Sequence, residues 1–396
     1  RALALALTQS PKLKSFAWEV RAKEAATLSA KRVPNPELGV DVEDLLGSGV
    51  FSKVKAMEIT ASLSQLIELG GKRSARIKAA RAAAKTAGWD YELARIRALS
   101  EVSKAFLSVY CAQRCVEQTR QMVELSKTVV EVFKEKVDAG KVSPLLVTRA
   151  QLSLSMAELE WGRAKRRLQA SRRALSLHWG AVEPQFSKVV AKLPPLTSPP
   201  SLTSLTQRLQ DSPHLARWAT YVQEKRSRVS LEESRRVPDL SVRAGYRYVH
   251  ESRDSALMFG LSIPIPVFYS NKGAVLQAER EVKKAQSQVA ATRLKLRQRL
   301  AKLLKALGDA YQETQSLQRD VLPKAKDSFQ KVKEGYRLGK FNYLAVLDSQ
   351  ATLFDAQRRY QEAFARYHAL KVDIEALLGA PLASPTSDST NRSEKP

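Results

Sequence analysis

Residues 260–273 read GLSIPIPVFYSNKG, and residues 274–307 continue AVLQAEREVKKAQSQVAATRLKLRQRLAKLLKAL. Leu257, Phe259, Leu261, Ile263, Ile265 and Val267 share one face of a period-two pattern, and Met258, Gly260, Ser262, Pro264 and Pro266 share the other. Such alternation predicts a strand with one apolar face, here over about residues 256–267. Proline lacks an amide donor and is tolerated only at strand ends and edges. The residue before each proline is also biased to extended geometry, which stops a helix from growing backward. Pro264, Pro266 and Asn271 therefore mark a junction where a strand hands over to a long helix, with Ser270 or Asn271 as its cap.

Three further stretches carry the same alternation. In ELGVDVEDL (37–45), Leu38, Val40 and Val42 alternate with Gly39, Asp41 and Glu43. In EITASLSQL (58–66), Ile59, Ala61 and Leu63 alternate with Thr60, Ser62 and Ser64. In DLSVRAGYRY (239–248), Leu240, Val242, Ala244, Tyr246 and Tyr248 face away from Ser241, Arg243, Gly245 and Arg247. Elsewhere Ala, Leu, Lys, Arg, Glu and Gln dominate, with only 16 glycines in 396 residues, which is the composition of extended helix.

The chain repeats itself. SPKL (10–13) is answered by SPHL (212–215), RVPNPEL (32–38) by RVPDL (236–240), VDAGKVSPLLVTRAQ (137–151) by RLGKFNYLAVLDSQ (337–350), and LHWGA (177–181) by LLGA (377–380). Four anchors in one order, at an offset of roughly 200 residues, indicate a tandem duplication. Residues 1–183 form the first repeat: a helix, strands at about 37–45 and 58–66, and a helical hairpin over about 73–179. Residues 203–382 form the second, with strands at about 239–248 and 256–267 and a hairpin over about 271–379. Each outgoing helix runs for about 65 residues, on the order of 100 Å; Gly308 and Pro323 mark expected breaks in the second. The Pro- and Ser-rich segment 184–202 is a linker, and the polar tail 383–396 is expected to be disordered.

Composition narrows the function. No run of eighteen apolar residues is present, so no transmembrane helix is encoded. The chain opens on Arg rather than Met, so a segment is expected to precede it; ALALALTQSPKL (2–13) lacks a small-residue cleavage site and reads as the first turns of a mature helix. The net charge of +26 would suit nucleic acid or an anionic membrane. Its densest patches, RAKRRLQASRR (163–173) and RLKLRQRLAKLLK (293–305), interleave leucine and alanine at helical spacing without aromatics and read as solvated helix faces. Cys111 and Cys115 lie four apart, on one helix face, and read as small apolar residues; two thiols alone are half of a soft-metal site. His178, His214, His250 and His368 are isolated, and no Ser-His-Asp set, phosphate loop or metal-ligand cluster is visible. No catalytic residue, metal ligand or cofactor is assigned.

Four strands of about ten residues, apolar on one side, do not form a stable sheet in water, whereas that length spans a bilayer as part of a barrel. In lipid an open edge leaves backbone groups unpaired, so the sheet must close, and four strands are too few. Three copies supply twelve strands and an aqueous lumen. A soluble reading stands beside this one, with the strands forming a small β-domain beside coiled coil.

Pro36–Leu38 and Pro238–Leu240, the turn glycines Gly140 and Gly339, and LAVLDSQATLFDAQRRYQEAFARYHALKVDIEALLG (344–379) together resemble the outer membrane efflux proteins of the TolC type, over nearly the whole chain. SIPIPVFYSNKG (262–273) is most similar to the heavy-metal efflux subgroup of CzcC and CusC relatives. The resemblance implies a mainly α chain with four strands, assembled as a homotrimer. In it a twelve-stranded outer membrane β-barrel continues into a long periplasmic α-helical barrel. It implies a passive conduit and not an enzyme, supplied by an inner membrane efflux transporter through a periplasmic adaptor, with outer membrane lipid as surroundings and no nucleic acid. The turns Gly140–Lys141–Val142–Ser143 and Gly339–Lys340–Phe341–Asn342 would be the adaptor-contacting tips. Asp348 falls where the family places acids that ring the closed pore; Ala345 stands at another such position, and Arg149 is the first-half counterpart of Asp348. Relatives often carry a lipid-anchored N-terminal Cys, which this sequence does not show at its start. The exported substrate is not written in these residues, because selection in such assemblies rests mainly with the pump. The competing readings are a soluble periplasmic coiled-coil adaptor or scaffold and a basic nucleic-acid-binding helical protein.

Overall fold

The duplicated strand patterns pair with one another. β1 (Glu37–Glu43), β2 (Glu58–Ile67), β3 (Leu240–Val249) and β4 (Asp254–Ser262) form one antiparallel sheet in the order β1-β2-β3-β4. The central pairing joins the two repeats, with Ser62 opposite Gly245 and Thr60 opposite Arg247. A Cβ on Gly245 would stand 2.9 Å from the Ala61 carbonyl oxygen, so only glycine allows β2 and β3 to approach this closely. The structure, a computed structural model, describes residues 1–191, 193–268 and 270–382; the expected disordered tail 383–396 lies outside them.

Helices account for the rest: α1 (Ala2–Gln9), α2 (Pro11–Ala30), α3 (Lys72–Asp138), α4 (Leu145–Leu177), α5 (Leu202–Gln210), α6 (Pro213–Ser234), α7 (Lys272–Ser316), α8 (Leu322–Arg337) and α9 (Tyr343–Leu378). The chain divides into two compact units. One holds residues 16–91 and 215–292, with the sheet; the other holds 1–15, 92–214 and, of the described residues, 293–382.

Several boundaries differ from the sequence pattern. β4 ends at Ser262 rather than at residue 267, because its partner strand offers Ser241 as the last match and Pro264 has no amide to extend the ladder. Pro264 and Pro266 therefore lie just beyond the strand. β1 stops at Glu43 rather than residue 45, where Asp44 turns to φ 55°. Gly308 does not break its helix: α7 continues through it to Ser316. The interruption is a π segment, Leu317–Val321, immediately before Pro323, where a widened turn admits the proline without a clash against the preceding carbonyl.

Both hairpins reverse through the same device. Gly140 takes φ 67°, with its amide on the Val137 carbonyl (2.8 Å) and the Lys141 amide on Lys136 (2.8 Å). Gly339 takes φ 73°, with its amide on Tyr336 (3.1 Å) and the Lys340 amide on Gly335 (2.7 Å). These are paired Schellman caps, which settle the last carbonyls of each helix and demand left-handed backbone. Open space surrounds both glycines, so backbone conformation alone selects them.

The linker is pinned rather than free. The Gln113 side chain brackets Val189, donating to its carbonyl (3.0 Å) and accepting from its amide (2.8 Å). The Tyr367 hydroxyl donates to the Thr197 carbonyl (2.8 Å) and accepts from the Thr197 amide (3.1 Å). Next to Tyr367, His368 is buried edge-on to Phe364 (4.5 Å) and to Tyr367 (5.2 Å). Burial, with Lys371 adding to it, pushes the imidazole down to about 4. A folded value below the unfolded one means that stability is fully present above about pH 6.5 and is lost as pH falls toward 4, by on the order of 3 kcal/mol. Thermal unfolding between pH 7 and 4.5 should show that slope in the parent and a flatter one in His368→Phe; equal slopes would remove His368 from the account.

Candidate functional site

Four surfaces carry the chemistry: the two faces of the sheet, the strand-to-helix junctions, and the hairpin tips. On the sheet every charged strand residue lies on one face. Glu37, Asp41, Glu43, Glu58, Arg243, Arg247 and Asp254 occupy alternate positions with Thr60, Ser62 and Ser64. Arg247 organises this face, bonding Glu58 (2.9 Å), approaching Glu43 (3.7 Å) and covering Thr60 (3.2 Å). The opposite face is apolar and open: Leu257, Phe259 and Leu261 are each 74–78% exposed, and Leu38 is 77% exposed. β1 and β4 each have one unpaired edge.

Each β-to-α junction is clamped by a buried or half-buried ion. At the β2–α3 turn, Asp239 accepts from the Leu69 amide (3.0 Å) and from Lys72 (2.6 Å). A Cβ on Gly70 would fall 2.6 Å from that of Val237, so the turn and the start of β3 touch through glycine. Arg76 completes this corner, reaching Glu68 and the carbonyls of Ala30 (3.1 Å) and Arg32 (2.9 Å). At the β4–α7 junction, Asn271 is buried at φ 55° and its side-chain amide donates to the carbonyl (2.7 Å) and carboxylate (3.3 Å) of Glu232 in α6. Left-handed backbone is tolerated by Asn better than by most side chains. Glu232 is only 5% exposed and also meets Arg235 (2.9 Å) and Arg228 (3.0 Å). Burial pushes its carboxyl up, but the Asn271 amide and Arg235, with Arg228 beyond, outweigh that and hold it below the ordinary carboxylate value.

The tips gather α3, α4, α8 and α9 around Val130, Phe133, Ala150, Phe329, Tyr343 and Val346. Phe133 meets Tyr343 edge-on (4.2 Å), and Lys136 sits over the Tyr336 ring (4.2 Å) while bonding its hydroxyl (3.0 Å). Burial drives the Tyr343 hydroxyl up to about 12, with Tyr336 contributing. Of the expected tip residues, Val142 packs on this core, Phe341 lays its ring against Gly335, and Gly140, Lys141, Gly339 and Lys340 are exposed. Asn342 caps α9 by accepting the Ala345 amide (3.0 Å), whereas Ser143, one residue ahead of the α4 cap Pro144, accepts the Leu145 amide (3.3 Å).

Asp348 is exposed on α9 and Arg149 is exposed on α4, and no ion pair joins them among the described residues. Ala345 is half-buried, its amide engaged in the Asn342 cap. The sequence reading missed Glu232 and the Arg247–Glu58 pair. The second could have been found from the strand alternation, which puts both on the polar face; the first required knowing that α6 packs on residue 271.

The chain is thus a duplication with paired helical hairpins and an open, two-faced antiparallel sheet. A family model for outer membrane efflux proteins matches residues 2–181 and again 205–380. The cobalt-zinc-cadmium resistance protein CzcC of Cupriavidus metallidurans is 34% identical over 378 residues, covering 96% of this chain and 89% of that protein. Among solved structures, the Campylobacter jejuni CmeC outer membrane channel superposes with a TM-score of 0.78 at 16% identity, covering 98% of this chain and 86% of that one. CusC gives 0.72 at 16% identity, covering 96% and 91%; these two likenesses show the fold alone. The chain belongs to the outer membrane efflux protein family.

The junction clamp has a measurable weight. Asn271→Ala leaves the buried Glu232 carboxylate without its amide donor, and a loss of about 1–3 kcal/mol in unfolding free energy is expected. Because Glu232 is held low, its contribution is present at neutral pH and is lost as pH falls through its depressed folded value. Unchanged stability of Asn271→Ala in denaturant titrations would show that the clamp does not hold the junction.

Proposed function

We propose that this chain is the outer membrane channel of a tripartite efflux assembly, a passive conduit that does no covalent chemistry. Three copies would close the four-stranded sheet into a twelve-stranded barrel and range the hairpins into a periplasmic tube. The observation that carries the reading is the sheet. Its apolar face leaves Leu38, Val40, Leu257, Phe259 and Leu261 uncovered, where burying each is worth about 1.5–3 kcal/mol. Two unpaired edges call for the same partner. A second copy in lipid satisfies both demands at once: edge pairs with edge, the apolar face meets hydrocarbon, and the charged face lines water.

The tips Gly140–Ser143 and Gly339–Asn342 would receive the periplasmic adaptor, and an inner membrane transporter would supply the energy. Heavy-metal cations are the proposed cargo, supported by the relationship to the cobalt-zinc-cadmium resistance protein. Asp348 is the proposed gate residue, three copies of which would bring negative charge to the axis beside Ala345, with Arg149 on the neighbouring hairpin.

Two measurements test the reading. After a high-salt wash the chain should remain in the outer membrane fraction and should release only with detergent; release by salt alone would sink the barrel. In planar bilayers Asp348→Ala should alter single-channel conductance or lower cation preference, and an unchanged channel would remove Asp348 from the gate.

A further inference from the structure

Cys111 and Cys115 are both free thiols, half-exposed on α3. They border a half-open cavity of about 930 Å³ lined by α3, α4 and α9. Its floor on α3 is a single helical stripe, Cys111, Cys115, Thr119 and Met122, spaced by four, four and three residues. This places three sulfur atoms along one face of one cavity. The acids of the same cavity are already engaged on their own helices, Glu160 by Arg163 (2.5 Å), Asp355 by Arg358 (2.6 Å), and Glu362 by Arg358 (3.2 Å).

The spacing decides what the two thiols can do. Residues four apart on a helix hold their Cβ atoms about 5–6 Å apart, whereas a disulfide needs about 3.5–4.5 Å. The pair is therefore too wide to oxidise to an internal disulfide without distorting α3. It is well matched to a single bridging atom, since two collinear metal–thiolate bonds of about 2.3 Å span about 4.6 Å. Burial raises both thiols, Cys111 to about 11, with Arg167 opposing in each case.

Which ion fits follows from the donors. No group of three His, Cys, Asp or Glu side chains is arranged for a metal among the described residues, which disfavours ions that require four hard or borderline ligands. We propose that Cys111 and Cys115 form a dithiolate site for a thiophilic cation content with two ligands, of which mercuric ion is the type. Binding replaces two S–H bonds by two S–metal bonds and releases two protons to water, with no change of oxidation state. A dication with two thiolates is neutral, so the half-apolar lining of Ala112, Ala164, Phe354 and Ala365 receives no uncompensated charge. The site stands on the geometry of α3 and not on the efflux reading; a chain that conducted no metal would still carry it.

The test uses the full chain in detergent, reduced with a phosphine and freed of reductant, then titrated with mercuric chloride. One ion per chain should survive gel filtration, with both thiols blocked to maleimide and a sulfur-to-metal charge-transfer band in the ultraviolet. Cys111→Ser and Cys115→Ser should each lose the ion to competing free cysteine about 100-fold more readily, the advantage of two tethered ligands over one. The double variant Cys115→Ser with Val116→Cys keeps two thiols but turns one away around the helix, and should behave like the single variants. Two ions per chain, or single variants that hold mercury as firmly as the parent, would overturn the bridged site. Circular dichroism of each variant separates loss of the site from loss of the helix.

Discussion

A backbone amide in hydrocarbon has no water to fall back on, and each one left unpaired costs several kcal/mol. That constraint bears on the unpaired edges of β1 and β4, and most of this molecule can be understood from it. The sheet has a charged face and an uncovered apolar face, so it is solvated properly neither in water alone nor in lipid alone. In the proposed barrel a closed wall between the two resolves the conflict, and copies of the chain would supply the strands that four alone lack. The duplication serves the same end. β2 from the first repeat and β3 from the second pair at the centre, so each repeat supplies one interior and one exterior strand.

Where the strands stop, the chain must change backbone geometry within a few residues, and both junctions do so with glycine or asparagine in left-handed conformation beside a fixed charge. Gly70 and Asp239 serve the first junction, Asn271 and Glu232 the second. The charges differ in cost. Asp239 is partly open to solvent, whereas Glu232 is almost fully buried and stands only because an amide and two guanidiniums meet it. A helix as long as α3 transmits any error at its start over its whole length, which gives these corners their importance.

What was legible in the sequence was local and periodic. The four strands follow from alternation, and the two reversals follow from Gly140 and Gly339, whose left-handed backbone is a property of single residues. What escaped required partners distant in sequence. The end of β4 was set by the extent of β3 and not by its own alternation, which runs on through Ile263 and Ile265. Gly308 stays within α7, since a lone glycine costs a helix only about 1 kcal/mol relative to alanine and leaves its hydrogen bonds intact, whereas Pro323 removes a donor and forces the π turn before it. The residues Val189 and Thr197 lie in a stretch that composition marks only as a linker, yet Gln113 and Tyr367 hold them at backbone atoms, where composition gives no signal. At the candidate sites the tips were legible for the same local reason, and the Glu232 clamp was not.

Charge adds a last step. The chain carries +26 overall, yet the polar face of its sheet holds five carboxylates, Glu37, Asp41, Glu43, Glu58 and Asp254, against two guanidiniums, Arg243 and Arg247. The excess of positive charge therefore resides off the strands, where lysines and arginines extend from helix faces into solvent, while the strand wall is acidic. An aqueous lumen bounded by low-dielectric walls focuses the field of whatever charge lines it. Were the polar face to line the proposed lumen, a wall of that sign would attract cations and repel anions, whatever the net charge of the chain. For the proposed conduit, the sign of the charges on one face of four short strands therefore counts for more than the net charge of the whole chain.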